Sequence, residues 1–457
     1  MAALVAALYG CDADVTVQAV ATPDATAGDA AVVAADSGQA TGNPRQVAAK
    51  PDEHPAVKPP ATVKAPVDGL VMHEWGTFTS VQGSDGSTQD GMQHEEEALP
   101  DFVYARDRLA HNQKMAEGLP EQCNQKMETP VVYFYTAKAQ KVKLNVEFKN
   151  GIISQWFPAV TAMQPPVGAL ASWNLKPGQG LSKGSLTWDV LVDPALDMAK
   201  APLVPADSVW QPSRLTQATP LRFVGTDGEY NNVDQTERFL FYRGLGRFTL
   251  PVQLKVYPKG GIAVQNNSDD ALPYAIMLRA TKDTKGGLTK GGVSEVGVVS
   301  QHTQSFEQYP WADMPRADAV AKAKALLKKN LIATGLYDDE AQAMVDTWQK
   351  SWFMTPGTRL LYILPAKWTQ NLLPMQVSPA PSQTVRTLVG RIEILSEQEE
   401  MQAQQAVIKA QTAGTQVLAE QLDRFLEPRI RRACQQLDAK TYGAHCAKMI
   451  EWAAAVN

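Results

Sequence analysis

Six histidines are the whole supply of imidazole in this 457-residue chain, so any metal or acid/base site must draw on them and on carboxylates. The densest polar segment runs from Val71 to Gly83 and reads VMHEWGTFTSVQG. His73 and Glu74 stand side by side there, and Glu128 lies in Lys126-Met127-Glu128-Thr129-Pro130. His73, Glu74 and Glu128 are the candidate catalytic residues, a set able to give and take protons. Downstream, Met92-Gln93-His94-Glu95-Glu96-Glu97 puts an imidazole beside three carboxylates. His94 and Glu95 are the candidate metal ligands, a donor set suited to Zn²⁺ or another divalent cation. The pattern lacks the His-Glu-x-x-His spacing that sets two ligands on one helical face. The structural alternatives are a core imidazole at His73 and a solvated acidic loop at His94 to Glu97.

Three further features carry chemical meaning. Arg243-Gly244-Leu245-Gly246-Arg247 sets two guanidinium groups around two glycines. Arg243 and Arg247 are candidate anion ligands, although a tight loop gives the same pattern and is preferred. Gly180 to Gly184 matches Gly-x-Ser-x-Gly, but it precedes a strand, where a nucleophile elbow needs a strand and then a helix. Trp348 and Trp352 lie four apart, with Trp311 and Trp368 nearby, and read as core before they read as a sugar platform.

The elements that must position these groups are mostly strands. Val142, Leu144, Val146 and Phe148 alternate with Lys143, Asn145, Glu147 and Lys149, which predicts a strand with one wet face. Asn150-Gly151 then signals a hairpin, with Ile152 to Phe157 as the return strand. Leu186 to Val192, Val252 to Val256, Ile262 to Val264 and Tyr274 to Ala280 read the same way. His73 and Glu74, adjacent on a strand, should face opposite sides of the sheet. From Pro315 the pattern turns helical over Arg316 to Leu331 and Asp338 to Lys350. It returns to strand over Thr358 to Leu364 and Thr384 to Leu395. Ser396 with Glu399 is a capping box opening a long helix to about Phe425. Pro428 ends or kinks it, and Arg429 to Ala455 is helical again. The expected class is α+β and mainly β, with one or two antiparallel β-sandwich units followed by a helical C-terminal region. The expected divisions are a β-rich body at 68–310, a helical pair plus two strands packed on it at 311–395, and a helical tail at 396–457.

The ends of the chain bear on location. Leu8-Tyr9-Gly10-Cys11 resembles a lipobox, with Cys11 as the lipidation site and residues 1–11 as a truncated export signal. No Lys or Arg precedes Cys11, so the expected start lies upstream. Residues 12–67 have no aromatic side chain and no sustained periodicity, and read as a disordered tether. Cys434 and Cys446, twelve apart, are the expected disulfide in an oxidising compartment. Lys and Arg total 43 against 48 acidic residues, a net charge of -5, which gives no electrostatic footprint for nucleic acid. The expected partner is a membrane, reached through the lipid, and the expected location is the bacterial cell envelope, facing the periplasm or exterior.

Several stretches together resemble a family of exported bacterial proteins, often lipoproteins, that carry an HEWGTFTS segment. They are His73 to Ser80, Lys126 to Pro130 leading into Tyr133-Phe134-Tyr135, Phe239 to Gly246, Glu340-Ala341 with Met344 to Phe353, and Leu388 to Glu393. The resemblance spans about Val71 to Leu395. It implies export and a shared fold, assigns no reaction, and directs attention to His73, Glu74, Glu128, Arg243 and Arg391. Two functional classes therefore stand: a tethered binding or scaffolding module, and an extracytoplasmic hydrolase dependent on a metal or on carboxylates. The first is preferred because no constellation has the spacing that a known chemistry demands.

Overall fold

The HEWGTFTS strand lies inside a large sheet, paired on both edges, with its apolar and polar side chains alike covered. All twelve residues of β1 (Val71–Gln82) are buried. It pairs antiparallel with β3 (Gln125–Tyr135) on one side and parallel with β19 (Gln383–Ile394) on the other. The computed structural model describes residues 69–94, 98–106, 123–167, 183–225, 232–257, 261–282, 288–307, 313–422 and 425–456.

Around β1 lies a ten-stranded sheet, numbered in chain order. Its spatial order is β16 (Met314–Pro315), β14 (Leu288–Val299), β13 (Leu272–Lys282), β17 (Gly357–Ile363), β19, β1, β3, β10 (Leu240–Gly246), β5 (Gly151–Phe157) and β2 (Tyr104–Ala105). A second sheet runs β18 (Met375–Ser378), β4 (Gln140–Phe148), β7 (Gly184–Val192), β8 (Leu221–Val224) and β9 (Asp234–Glu237), with β6 (Ala162–Gln164) also on β7. A third holds β11 (Val252–Val256), β12 (Ile262–Asn266) and β15 (Gln304–Glu307).

Side-chain alternation splits the core in two. Met72, Phe78, Val132, Phe134 and Ile392 point to one face of the large sheet and share a core with Leu144, Trp188, Leu254 and Val264 of the smaller sheets. On the opposite face Trp75, Val131, Tyr133, Leu361 and Val389 pack against helices α2 (Arg316–Ala333) and α3 (Asp338–Thr347), which follow a short helical turn, α1 (Gln211–Arg214). The chain is α+β and mainly β, with antiparallel pairing dominant and helices gathered toward the C-terminus.

Three expectations are revised. Asn150-Gly151 does not close a hairpin: β4 pairs with β7, whereas β5 pairs with β10 and β2. The turn instead carries the chain from one sheet to another. Every residue of β5 is buried, so it needs cover on both faces, whereas β4 keeps one wet face. A Cβ on Gly151 would lie 2.3 Å from the Phe148 ring, so the crossing requires glycine. Second, the strands of 311–395 are not an accessory layer. β17 and β19 lie inside the large sheet between β13 and β1, and the described residues belong to one compact unit.

Third, the long helix from Ser396 stops early. Its capping box is present, but α5 (Glu397–Ala413) ends at Gly414, whose φ of 80° is left-handed. After α4 (Ala366–Leu372) and α5, the tail continues as α6 (Gln416–Leu422), α7 (Leu426–Gln436) and α8 (Ala439–Ala455). Pro428 stands in the first turn of α7, where its missing N–H breaks no helical bond. The four tail helices bury their own core, including Ala406, Val407, Leu418 and Ile430. No described helix is long and apolar enough to cross a membrane.

Cys434 on α7 and Cys446 on α8 are joined, with Cα atoms 5.6 Å apart. A bridge closing so short a loop stabilises by about 3 kcal/mol in the chain-entropy account. Replacing both cysteines by serine should therefore lower the urea midpoint of the tail, and reductant should lower the parent to the same value. An unchanged midpoint would show that the bridge constrains nothing.

Candidate functional site

His73 and Glu74 do face opposite sides of β1, and each is bound by a different set of partners. On the helical face, the His73 imidazole is fully buried and its Nδ1 lies 2.8 Å from Glu340 Oε2. Tyr135 donates its hydroxyl to Glu340 Oε1 at 2.6 Å, and the Tyr337 N–H donates to Oε2 at 2.7 Å. Glu340 is the third residue of α3 and part of its capping box, so one carboxylate both starts a helix and holds an imidazole. The rings of Tyr337 and Tyr135 sit 4.3 and 5.5 Å from that of His73. Burial, reinforced by the Glu340 charge, pushes the Tyr135 hydroxyl well above its ordinary pKa. It therefore stays a donor. His73 Nε2 is buried with no hydrogen-bond partner among the described residues.

On the sandwich face, Glu74 accepts from the Tyr242 hydroxyl and from Arg386 Nε, the latter at 2.6 Å. Arg386 also donates to Gln370 at 3.0 Å. Burial and the Glu74 charge raise the Tyr242 pKa, so that hydroxyl too remains a donor. Glu74 is fully buried.

Glu128 reaches the helical face only because β3 is irregular. Thr129 has a φ of 41°, and the β1–β3 register shifts between Trp75 and Thr77. A Cβ on Gly76 would come within 2.8 Å of Pro130 Cα, so glycine is needed opposite the bulge. The extra residue inverts the alternation. Val131 and Tyr133 above the bulge, and Lys126 and Glu128 below it, then share one face, while Met127 and Val132 take the other.

The inversion completes a diagonal belt of buried charge. Arg359 on β17, Arg391 and Glu393 on β19, Lys126 and Glu128 on β3 and Arg243 on β10 are each 5% exposed or less. Arg359 Nε and Arg391 Nη2 both lie 2.7 Å from Glu393 Oε1. Lys126 Nζ lies 3.2 Å from Glu128 Oε1, and Thr79 donates to Glu128 Oε2 at 2.6 Å. Burial alone would raise the Glu128 pKa. The charges of Lys126, Arg243 and Arg391 and the Thr79 hydroxyl overcome it and hold the carboxyl below its ordinary 4.5.

His94 belongs to a neighbouring contact. Its Nε2 lies 2.8 Å from the buried Glu427 of α7, and its carbonyl accepts from Lys126 Nζ at 2.6 Å. The Gln93 amide also donates to Glu427. The loop thus links the belt to the tail helices. The nearby Cys123 thiol is fully buried, and desolvation pushes its pKa up to about 12, leaving it unreactive.

The candidates from the sequence are therefore not one constellation. His73 binds Glu340, Glu74 binds Tyr242 and Arg386 across the sheet, Glu128 lies in the belt and His94 binds Glu427. Glu95 and Cys11 lie outside the described residues, and no group of three or more metal-donor side chains forms among those described. Arg243 and Arg247 do not converge: Arg243 is buried in the belt, whereas Arg247 is partly exposed, 3.5 Å from Asp90. Trp348 and Trp352 stack at 5.8 Å inside the core beneath α2. Sequence reading missed Glu340, Glu427, Arg359 and Arg386 as partners. The one available signal was charge at inward-facing positions of apolar strands.

No known family profile and no curated protein matches the sequence. Among solved structures, the chain is similar to the yeast delta-COP-I mu-homology domain complexed with a Dsl1 WxWxV peptide, at 8% identity and a TM-score of 0.24, covering 73% of this chain and 98% of that one. The same domain without the peptide gives the same values. A beta-glucuronidase from glycoside hydrolase family 2 follows at 12% identity and a TM-score of 0.09, covering 55% of this chain and 27% of that one. Likeness this slight carries no functional argument.

Glu128 makes the belt testable by pH. Its lowered pKa contributes stability above about pH 4.5, and that contribution is lost as pH falls through the lower folded value. Glu128→Gln should cost about 3 kcal/mol at pH 7, the usual penalty for breaking a buried pair. The gap between variant and parent should close as the pH is lowered below 4.5. A gap that does not depend on pH would refute the assignment.

Proposed function

We propose that this chain is a membrane-tethered module of the bacterial cell envelope that binds or scaffolds and does not catalyse. The observation that carries the reading is where the motif's polar groups go. His73 and Glu74 are fully buried and Glu128 nearly so, and all three are bound by side chains of the fold. A general acid or base must come within hydrogen-bond reach of a substrate. These groups hold strands and helices together instead. Export is supported by the Leu8-Tyr9-Gly10-Cys11 segment and by the bonded Cys434 and Cys446, which suit an oxidising compartment.

The hydrolase alternative needs His73, Glu74, His94 and Glu128 to meet at one solvent-reached point. Glu74 lies across the sheet from the other three, so a hydrolytic centre would have to be built without it.

Two measurements test the proposal. Expressed in bacteria behind a complete lipoprotein export signal, the chain should partition with membranes, and Cys11→Ser should release it to the soluble fraction. Unchanged membrane association would overturn the anchor. Glu74→Gln should lower the thermal midpoint by several degrees, matching a loss of about 2 kcal/mol for a buried charge-assisted pair. A variant with unaltered stability would free Glu74 for another role and weaken the non-catalytic reading.

A further inference from the structure

We propose that the loop 201–206, together with Leu215 at the end of α1, inserts its apolar side chains into the surface of a lipid bilayer. The inference rests on the membrane-tethered reading and names the face that the body turns toward the membrane. Leu203 is 95% exposed and Leu215 60% exposed. Single exposed leucines are common on protein surfaces, but these two are held together. Arg214, the residue before Leu215, donates from Nη1 to the carbonyl of Pro202, the residue before Leu203, at 2.7 Å.

The loop is built to keep that position. Arg214 Nη2 lies 2.6 Å from Oε2 of Glu237, which is fully buried, and the Trp210 indole donates to the same oxygen at 2.9 Å. Asp197 caps the turn Met198–Lys200 that leads into the loop. On the inner side, Val204 packs against the helical-face core. Residues 201–206 read Ala-Pro-Leu-Val-Pro-Ala and offer no charge and no side-chain hydrogen-bonding group. Pro205 and Ala206 are exposed along with Leu203. A buried carboxylate thus fixes a loop whose tip is apolar and in water. Moving such a tip from water into hydrocarbon is favourable.

The place of the patch favours a bilayer over a protein partner. Thr219, shortly after Leu215, donates its N–H to the Phe134 carbonyl at 2.8 Å, and the Thr136 N–H donates to Thr219 Oγ1 at 3.1 Å. Phe134 and Tyr135 pair with Met72 and Val71 at the start of β1. The patch therefore lies toward the end of the large sheet where the chain arrives from residues 12–68, which connect it to Cys11. A lipid on Cys11 keeps this end of the body within reach of the membrane. Asp193, Asp197 and Asp207 flank the loop, with Lys200 as the one cation between them in sequence. The attraction is therefore apolar and does not call for anionic headgroups.

The test uses the full 457-residue chain with Cys11→Ser, which carries no lipid, so its outcome is independent of the anchor. Two leucines bind weakly, so cosedimentation is measured with sucrose-loaded phosphatidylcholine vesicles at millimolar lipid. Attachment this weak is lost when a cell lysate is diluted, so it does not mask the release of the same variant from bacterial membranes. The chain should sediment with the vesicles at low and high salt alike, because apolar insertion is not screened. Leu203→Asp/Leu215→Asp should lower the bound fraction at least about fivefold. Met401→Asp is the control: Met401 is 55% exposed on α5, which follows β19 beyond the opposite end of β1, where Ile394 pairs with Gln82. No sedimentation of the parent chain, full sedimentation of the double variant, or an equal loss in the control overturns the proposal. Self-association without vesicle binding, abolished in the double variant, also overturns it and makes the patch an interface between copies of this chain. Should the double variant unfold, Leu203→Ser alone, at a position almost wholly in water, must still weaken vesicle binding, and unchanged binding there overturns the site.

Discussion

Charge buried in a β-sheet must be compensated where it lies, and that requirement governs this structure. Arg359, Arg391, Glu393, Lys126, Glu128 and Arg243 are nearly removed from water on one face of the large sheet. An uncompensated ion in such a place costs several kcal/mol. A strand that slipped by one residue would turn its charges into the apolar core on the other face. The belt therefore specifies register across β17, β19, β1, β3 and β10 more strictly than apolar packing alone. The bulge at Thr129 is part of the same arrangement, since without its inversion Lys126 and Glu128 would point into the sandwich core.

The remaining polar contacts extend this control outward. His73 with Glu340 fixes α3 against the sheet, and Glu74 with Arg386 ties β1 to its parallel neighbour from the opposite face. Glu427 meets His94 next to the belt, and Arg432 Nε donates to Glu400 at 2.7 Å, which in turn accepts from Ser84. A Cβ on Gly83 would lie 2.7 Å from Arg432 Nε, and one on Gly91 the same distance from Glu427 Cγ. Two glycines thus let the tail helices close on the sheet.

Much of the local structure was legible in the sequence. Alternation marked β4, β7 and β11, the capping box placed the start of α5, and adjacency put His73 and Glu74 on opposite faces. What escaped was the part set by distant partners. His73 and Glu340 are 267 residues apart, and the parallel pairing of β1 with β19 joins segments whose Thr77 hydroxyl and Val389 carbonyl are 312 apart in sequence. Nothing near β1 announces either partner. β5 was misjudged for a related reason: a strand buried on both faces has no polar alternation to show which sheet it joins. The bulge left only Thr129-Pro130 as a trace, and a residue before proline is restricted without being told to adopt a positive φ.

Register in the large sheet depends on the belt being coupled across strands, and a double-mutant cycle on Arg359 and Glu393 measures that coupling directly. Glu393→Gln removes the carboxylate that faces Arg359, and Arg359→Met leaves Glu393 with Arg391 as its remaining cation. The pair should therefore destabilise by clearly less than the sum of the singles, with a coupling of at least about 1 kcal/mol in urea unfolding. Additive effects within about 0.3 kcal/mol would contradict the account, because the two charges would then be stabilised independently and the register would not depend on their meeting.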